Sequence, residues 1–405
     1  MMKAVGVIVE YNPFHNGHAY HLQAAKDLAQ ADLAIAVMSG NFLQRGEPAL
    51  ISKWYRTKMA LLNGVDIVLE LPYRFATQKA ETFANGAVSI LDAIGCHSLC
   101  FGSESGDISS FVETVDYLDT HKEYFDEKIK MNIKLGVSYP KALSLSFQSL
   151  SSPENILNLD KPNNILGFHY VKSIIQQKRS ILPLTVKRKN ADYHDEHFAT
   201  ETIASATSIR KALFAGKKGN SSIEQYVPDT TSTLLKEYLA VYGHFHEWEN
   251  YWSYLRFRLL HMNPEELREV YEVEEGIEHR LLTAALDSTT FKEFMQKIKT
   301  KRYTWTRLQR ICVHILTNTK KNDMKSMLET PSYLRLLGMT KNGKNYLNKY
   351  KSQFSLPLVS KLSAYKENEI LLDIRASRVY SFGIGNQTRD HLLHQEYKQP
   401  PIYIE

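Results

Sequence analysis

The sequence predicts an α/β fold, a parallel sheet with flanking helices, followed by a mostly helical C-terminal region. Three observations carry this. Apolar runs of strand length alternate with helix-length segments between Ala4 and Lys187, and the first run ends in a glycine-containing loop that opens a helix. Beyond Pro228 the strand signals thin out and long helical patterns dominate. Strands alternating with helices at these lengths build βαβ units and therefore a parallel sheet. The division falls at 1–222 and 223–405, next to the punctuating glycines Gly216 and Gly219. A chain of 405 residues is in any case too long for one ordinary core.

Each element has its own reason. Ala4 to Val9 is almost continuously apolar, as a strand buried on both faces must be, whereas a half-exposed strand would alternate. Asn12, Pro13, Asn16 and Gly17 break it into a loop, and helix formers resume from Ala19 to Ala29. Leu33–Met38 is a second strand, closed by Ser39, Gly40 and Asn41; Trp54–Leu62 reads as helix. Ile67–Leu71 is a third strand, stopped by Pro72, and Lys79–Ile94 has helical spacing. Ser98–Phe101 is a short fourth strand running into Gly102. Residues 107 to 150 read as charged-faced helices, 151 to 164 as a loop, Ile165–Gln177 as helix and Leu184–Lys187 as a fifth strand. The hydroxyl residues of SATSIRKAL, Ser205 to Leu213, precede a helical pattern as an N-cap should. The tail from Gln399 to Glu405 reads as a strand or a tether.

Composition narrows the function classes. A hydrophobic content of 43% with 23% charged residues describes a soluble globular protein, and no run of eighteen apolar residues suggests a membrane span or a signal peptide. Three cysteines are too few for a disulfide framework or a four-thiolate zinc site, so a cytoplasmic setting is expected. The net charge of +6 is unevenly spread: residues 241–290 hold 4 basic and 10 acidic side chains, and residues 291–360 hold 15 basic and 3 acidic. A reversal from −6 to +12 between neighbouring segments points to an anionic partner larger than one nucleotide.

The chemistry concentrates in HNGH. Right-handed crossovers bring the loops after the strands to one edge of the sheet, where ligands of open α/β folds bind. A helix N-terminus there offers backbone N–H groups to phosphate. His15 and His18, cationic or hydrogen-bonding, are placed to stabilise charge on the α-phosphate and leaving pyrophosphate of a bound triphosphate. Surface loop histidines or helix caps are the plain alternative. In GNFLQRGEP, Asn41, Gln44 and Arg45 follow the second strand and suit a small carboxylate pocket or an unliganded polar lid.

HNGH and SATSIR together resemble the HxGH nucleotidyltransferase superfamily, in which Ser205, Thr207 and Ser208 would supply hydroxyls and Arg210 a fork to phosphate. A HUP-like, Rossmann-type sheet is implied. The longer stretches VEYNPFHNGH, GNFLQRGEPALISK, VLELP, PNNILG, LTVKRKNADYHD and RYTWTRLQRICVHIL look like the tRNA(Met) cytidine acetate ligase family. That resemblance implies an ATP-dependent ligase. Acetate would attack the ATP α-phosphate, and the acetyl group of the resulting acetyl-adenylate would pass to N4 of the wobble cytidine of elongator tRNA(Met). The implied ATP site falls on Val7, Ile8, Val9, Glu10, Tyr11, Asn12, Pro13, Phe14, His15, Asn16, Gly17, His18, Ala19 and Tyr20, on Gly102, on Asn163 and Asn164, and on Arg188. No KMSKS-type signature is present, so SATSIR should close over the phosphates.

Partners follow from the basic segment. Lys299, Lys301, Arg302, Arg307 and Arg310 would neutralise tRNA phosphates, with Tyr303, Trp305, Tyr333, Tyr346 and Tyr350 available to stack on anticodon-loop bases. No stable protein partner is evident, and the only metal expected is Mg²⁺ carried with the ATP phosphates. The HDEH run at His194 to His197 lacks a third ligand and reads as non-metal. Two other readings stay open: a small-molecule adenylyltransferase, and an RNA-binding protein with a vestigial nucleotide site.

Overall fold

A computed structural model describes residues 2–149, 156–188, 203–215, 223–274, 276–325 and 329–405. The HDEH run, and the glycines Gly216 and Gly219, lie outside the described residues. Eight strands form one sheet: β1 (Ala4–Val9), β2 (Leu33–Ser39), β3 (Ile67–Leu71), β4 (Ser98–Ser103), β5 (Leu182–Lys187), β6 (Leu334–Thr340), β7 (Leu358–Val359) and β8 (Ile402–Ile404). The helices of the first half are α1 (Asn16–Ala29), α2 (Lys53–Leu62), α3 (Tyr73–Ala76), α4 (Ala80–Ala93), α5 (Ile108–Thr120), α6 (Lys122–Lys134), α7 (Tyr139–Gln148), α8 (Pro162–Gln176) and α9 (Ala206–Ala215). Those beyond are α10 (Asp229–Tyr242), α11 (Trp252–His261), α12 (Pro264–Glu269), α13 (Ile277–Leu286), α14 (Phe291–Ile298), α15 (Trp305–Leu316), α16 (Lys321–Lys325), α17 (Lys341–Tyr350), α18 (Leu371–Ser381) and α19 (Asn386–Lys398).

The order β5-β4-β1-β2-β3 is parallel throughout, as the alternation predicts. Because β1 pairs with both β2 and β4, the strand order reverses around it, which opens the crevice used by ligands of such sheets. Side chains of β1 and β2 divide between two cores: Val5, Val7, Ala34, Ala36 and Met38 face one, and Ala4, Leu33, Ile35 and Val37 the other. Both faces are covered, which explains the unbroken apolar runs.

The C-terminal half is mostly helical, as expected, and adds three strands to the sheet. β6 pairs antiparallel with β3, and β7 and β8 pair parallel with β6, so the chain returns to complete the sheet. Its helices extend the first core, since Tyr238, Leu255, Phe294 and Ile311 belong to the same buried cluster as Val5 and Val7. Buried Arg56 on α2 ties the strand ends together: its guanidinium donates to the carbonyls of Glu10, Ser39 and Gly40. The strand ends at the crevice are therefore held by a side chain behind it.

Candidate active site

The loop after β1 is fixed by its own histidines. His15 is the N-cap of α1, and its Nδ1 accepts the Gly17 N–H at 3.0 Å, while His18 Nδ1 accepts the His15 N–H at 3.3 Å. This is a capping box made of two imidazoles in place of the usual hydroxyl and carboxylate. The two rings stack with centroids 3.7 Å apart. A Cβ at Gly17 would come within 2.8 Å of His15 Cε1, so the motif glycine is required by the ring that caps over it. With each Nδ1 occupied as an acceptor, the neutral ring carries its hydrogen on Nε2. Burial, together with Arg188 and Arg210, pushes the His15 imidazole down to about 3; burial and the neighbouring His15, His21 and Arg188 push His18 well below its usual value. The pair is therefore neutral rather than cationic. The helix-cap reading is met by both residues.

The facing wall is the start of α9. Ser205 Oγ accepts the Ser208 N–H at 3.1 Å, the N-cap bond that the sequence predicts. Arg210 then reaches across: Nη1 donates to the Asn12 carbonyl at 3.0 Å and Nη2 pairs with Glu47 at 3.2 Å. Arg210 thus joins α9, the HNGH loop and the loop after β2.

That last loop is held from the C-terminal half. Trp248 Nε1 donates to the Gly46 carbonyl, the His246 N–H to Leu50 and the Tyr380 hydroxyl to Ala49. Gly46 has φ +76°, and a Cβ there would lie 2.3 Å from the Arg310 nitrogen, so α15 packs directly on this turn. Gln44, Arg45 and Glu47, presented by the same loop, line the crevice.

Between these walls lies a cavity of about 510 Å³, within the range of small-molecule sites. On the α1 face it is bordered by His15, His18, His21, Gly102 and Arg188; on the opposite face Phe83, Phe101, Leu166 and Tyr170 give an apolar wall, and Thr306 of α15 stands at its border. A Cβ on Gly102 would meet only ordinary contacts, with Arg188 Cγ at 3.5 Å and His21 Cδ2 at 3.8 Å. Among the described residues nothing demands a glycine at that position, so its missing side chain leaves room in the cavity itself.

Of the residues marked from sequence, Ile8, Val9, Glu10, Tyr11, Asn12, His15, Gly17, His18, Tyr20, Gly102, Asn163, Arg188, Ser205, Thr207 and Arg210 converge on the cavity. Others support it from behind. Val7 and Phe14 are core, Pro13 is buried, Ala19 packs against the core, and Asn16 donates to the Gln225 carbonyl. Asn164 departs from the nucleotide reading: Oδ1 accepts the Glu104 and Ser105 N–H groups and Nδ2 donates to Asn158, while Glu104 in turn receives the N–H groups of Asn163 and Asn164. That is turn and cap chemistry. Ser208 is buried with its hydroxyl on Ser205 at 2.8 Å, and Asn41 is spent on Lys53 and Ser377. Sequence reasoning passed over His21. It continues the three-residue spacing of His15 and His18 on α1, a signal that was available, and its Nε2 is buried without a hydrogen-bond partner among the described residues.

The basic segment divides likewise. Lys299, Lys301 and Arg302 are exposed, and Trp305 is 39% exposed at the start of α15 beside Thr306. Arg307 lies over the Tyr303 ring and pairs with Glu274 at 3.1 Å. Arg310 corrects the expectation: its guanidinium is buried against Glu272 with contacts of 2.8 to 3.1 Å, because α15 turns it inward. Tyr303, Tyr333 and Tyr346 are buried as well and belong to the packing. No helix among the described residues is long and apolar enough to cross a membrane.

Comparison with known proteins agrees with this geometry. The family described as HIGH Nucleotidyl Transferase matches residues 2–395. A tRNA(Met) cytidine acetate ligase of Bacillus licheniformis is 52% identical over 99% of this chain and 97% of its own, and one of Bacillus subtilis is 50% identical over 99% and 97%. Crystal structures of Thermotoga maritima TmcAL superpose over all of both chains, with a TM-score of 0.92 and 33% identity for the apo form, and 0.90 and 32% for the form bound with alpha-thio ATP. The chain belongs to the tRNA(Met) cytidine acetate ligase family.

Proposed function

We propose that this protein activates acetate with ATP as acetyl-adenylate and transfers the acetyl group to N4 of the wobble cytidine of elongator tRNA(Met). One observation supports the reading most: a stacked histidine pair and the start of α9, with Arg210, line one cavity. Donors on both sides of a triphosphate suit attack at the α-phosphate, where the protein's task is to position and to neutralise. His15 and His18 donate to phosphate oxygens as charge builds on the leaving pyrophosphate. Arg188, Arg210, Ser205 and Thr207 complete the phosphate cradle, and Gly102 admits the nucleoside. A relative crystallised with an ATP analogue fits this assignment.

Mg²⁺ is proposed to arrive on the triphosphate oxygens, as it commonly does with nucleotide substrates. The acceptor side is the loop carrying Gln44 and Arg45, and tRNA is proposed to approach over exposed Lys299, Lys301, Arg302 and Trp305, the last adjoining Thr306 at the cavity border. We assign catalysis to residues 1–222 and most of the RNA contact to residues 223–405. We propose a cytoplasmic setting, where a tRNA substrate is met. The test is pyrophosphate release from ATP: it should require acetate, and release equally fast with and without acetate would refute the reading.

A further inference from the structure

Glu10 sits where a triphosphate site would not want it. Ile8, two residues earlier, packs on the second core with Phe83 and Tyr170, and Glu10 bears electrostatically on Tyr170, so its carboxylate enters the cavity from the face opposite the histidines. Oε1 is fixed by the Gln44 N–H at 2.8 Å. Around it stand Arg45, Arg210, Glu47 and Tyr170; Glu47 is itself paired with Arg210. Burial, reinforced by Glu47, raises this carboxyl above its ordinary range, against the lowering effect of the Gln44 bond and the two arginines.

The two-step reaction, on which this inference rests, has one step that needs a base. Acetate attacking phosphorus has no proton to lose. The cytidine N4 amine does. His15 and His18 cannot serve in their resting form, since both Nδ1 atoms already accept backbone N–H groups and both Nε2 atoms carry hydrogen.

We infer that Glu10 is the general base of the transfer step. As N4 attacks the acetyl carbonyl, the C–N bond forms and the acyl C–O bond to phosphate breaks. AMP leaves with that electron pair, and one N4 proton passes to the Glu10 carboxylate. A base with an elevated pKa is the better matched to such a transfer near neutral pH.

The experiment is single-turnover transfer from synthetic acetyl-adenylate to tRNA(Met) transcript, between pH 5 and 8.5, with wild type, Glu10→Gln and Glu10→Asp. Gln keeps an oxygen for the Gln44 N–H, so the loop retains its anchor. Wild type should show a rate that falls on the acid side as Glu10 is protonated. Glu10→Gln should be about 100-fold slower or worse and lose that limb, whereas Glu10→Asp should keep it at a reduced rate. Glu10→Gln within threefold of an active wild type, or an acid limb that persists in it, would overturn the assignment of Glu10 alone. A wild type that cannot acetylate the transcript would instead bring down the proposed function, and this inference with it.

Discussion

His15 and His18 lie ring on ring, 3.7 Å between centroids, and each is held by a backbone N–H donated to its Nδ1. Capping and the proposed chemistry therefore use the two nitrogens of the same rings, and an alanine at either position confounds them. His15→Asn separates the two, because Asn is a good N-cap while lacking the imidazole. Acetate-dependent pyrophosphate release should fall by about 10² to 10³ with little change in thermal stability. An active Asn variant would reduce His15 to a cap.

Gly17→Ala attacks the same pair from beneath. Its Cβ would lie 2.8 Å from His15 Cε1, so the ring must move. We expect a loss of about 1 to 3 kcal/mol of stability by overpacking, and a fall in kcat with it. Denaturant titration alongside steady-state kinetics checks both.

The basic segment should separate into two behaviours. Reversing Lys299, Lys301 and Arg302 to Glu should weaken tRNA binding and flatten its dependence on salt, with the fold intact. Arg310→Ala should leave half-buried Glu272 without its partner and cost about 2 to 4 kcal/mol of stability. Filter binding across a salt series and unfolding curves distinguish them; an Arg310→Ala protein as stable as wild type would contradict the burial.

Acid should destabilise the protein early. Among the described residues, His15, His21, His169 and His314 are held down to about 3 or 4 by burial, and His18 and His246 well below their usual value. Below about 6.5 the unfolded chain takes up protons that these folded rings refuse, so stability drops as pH falls from 6.5 toward 4. Each fully coupled ring contributes up to about 1.4 kcal/mol per pH unit. Asp373, raised to about 7 by burial and by Glu70, acts in the opposite direction between 3.8 and 7 and offsets one of them. The urea midpoint should be clearly lower at pH 5 than at pH 7; equal midpoints would mean that the rings ionise in place.

The parallel half of the sheet is legible because strands buried on both faces leave unbroken apolar runs, as in Ala4–Val9 and Leu33–Ser39. β6 hides in the basic segment because Arg335, which reads as surface charge, is buried with Nη1 on the Val359 carbonyl. HNGH is legible since its spacing and its helix start are local. Asn164 and Arg310 are not, for their partners Glu104 and Glu272 lie 60 and 38 residues away and only the fold brings them near. The clamp on Gly46 is invisible for the same reason: its contact, Arg310, comes from the other half of the chain.

The most direct measurement is incubation with ATP, labelled acetate and tRNA(Met), followed in time. Label should appear first in acetyl-AMP and then in N4-acetylcytidine at the wobble position, with both formed far more slowly by His15→Asn. Label in neither product with the wild-type enzyme would contradict the account.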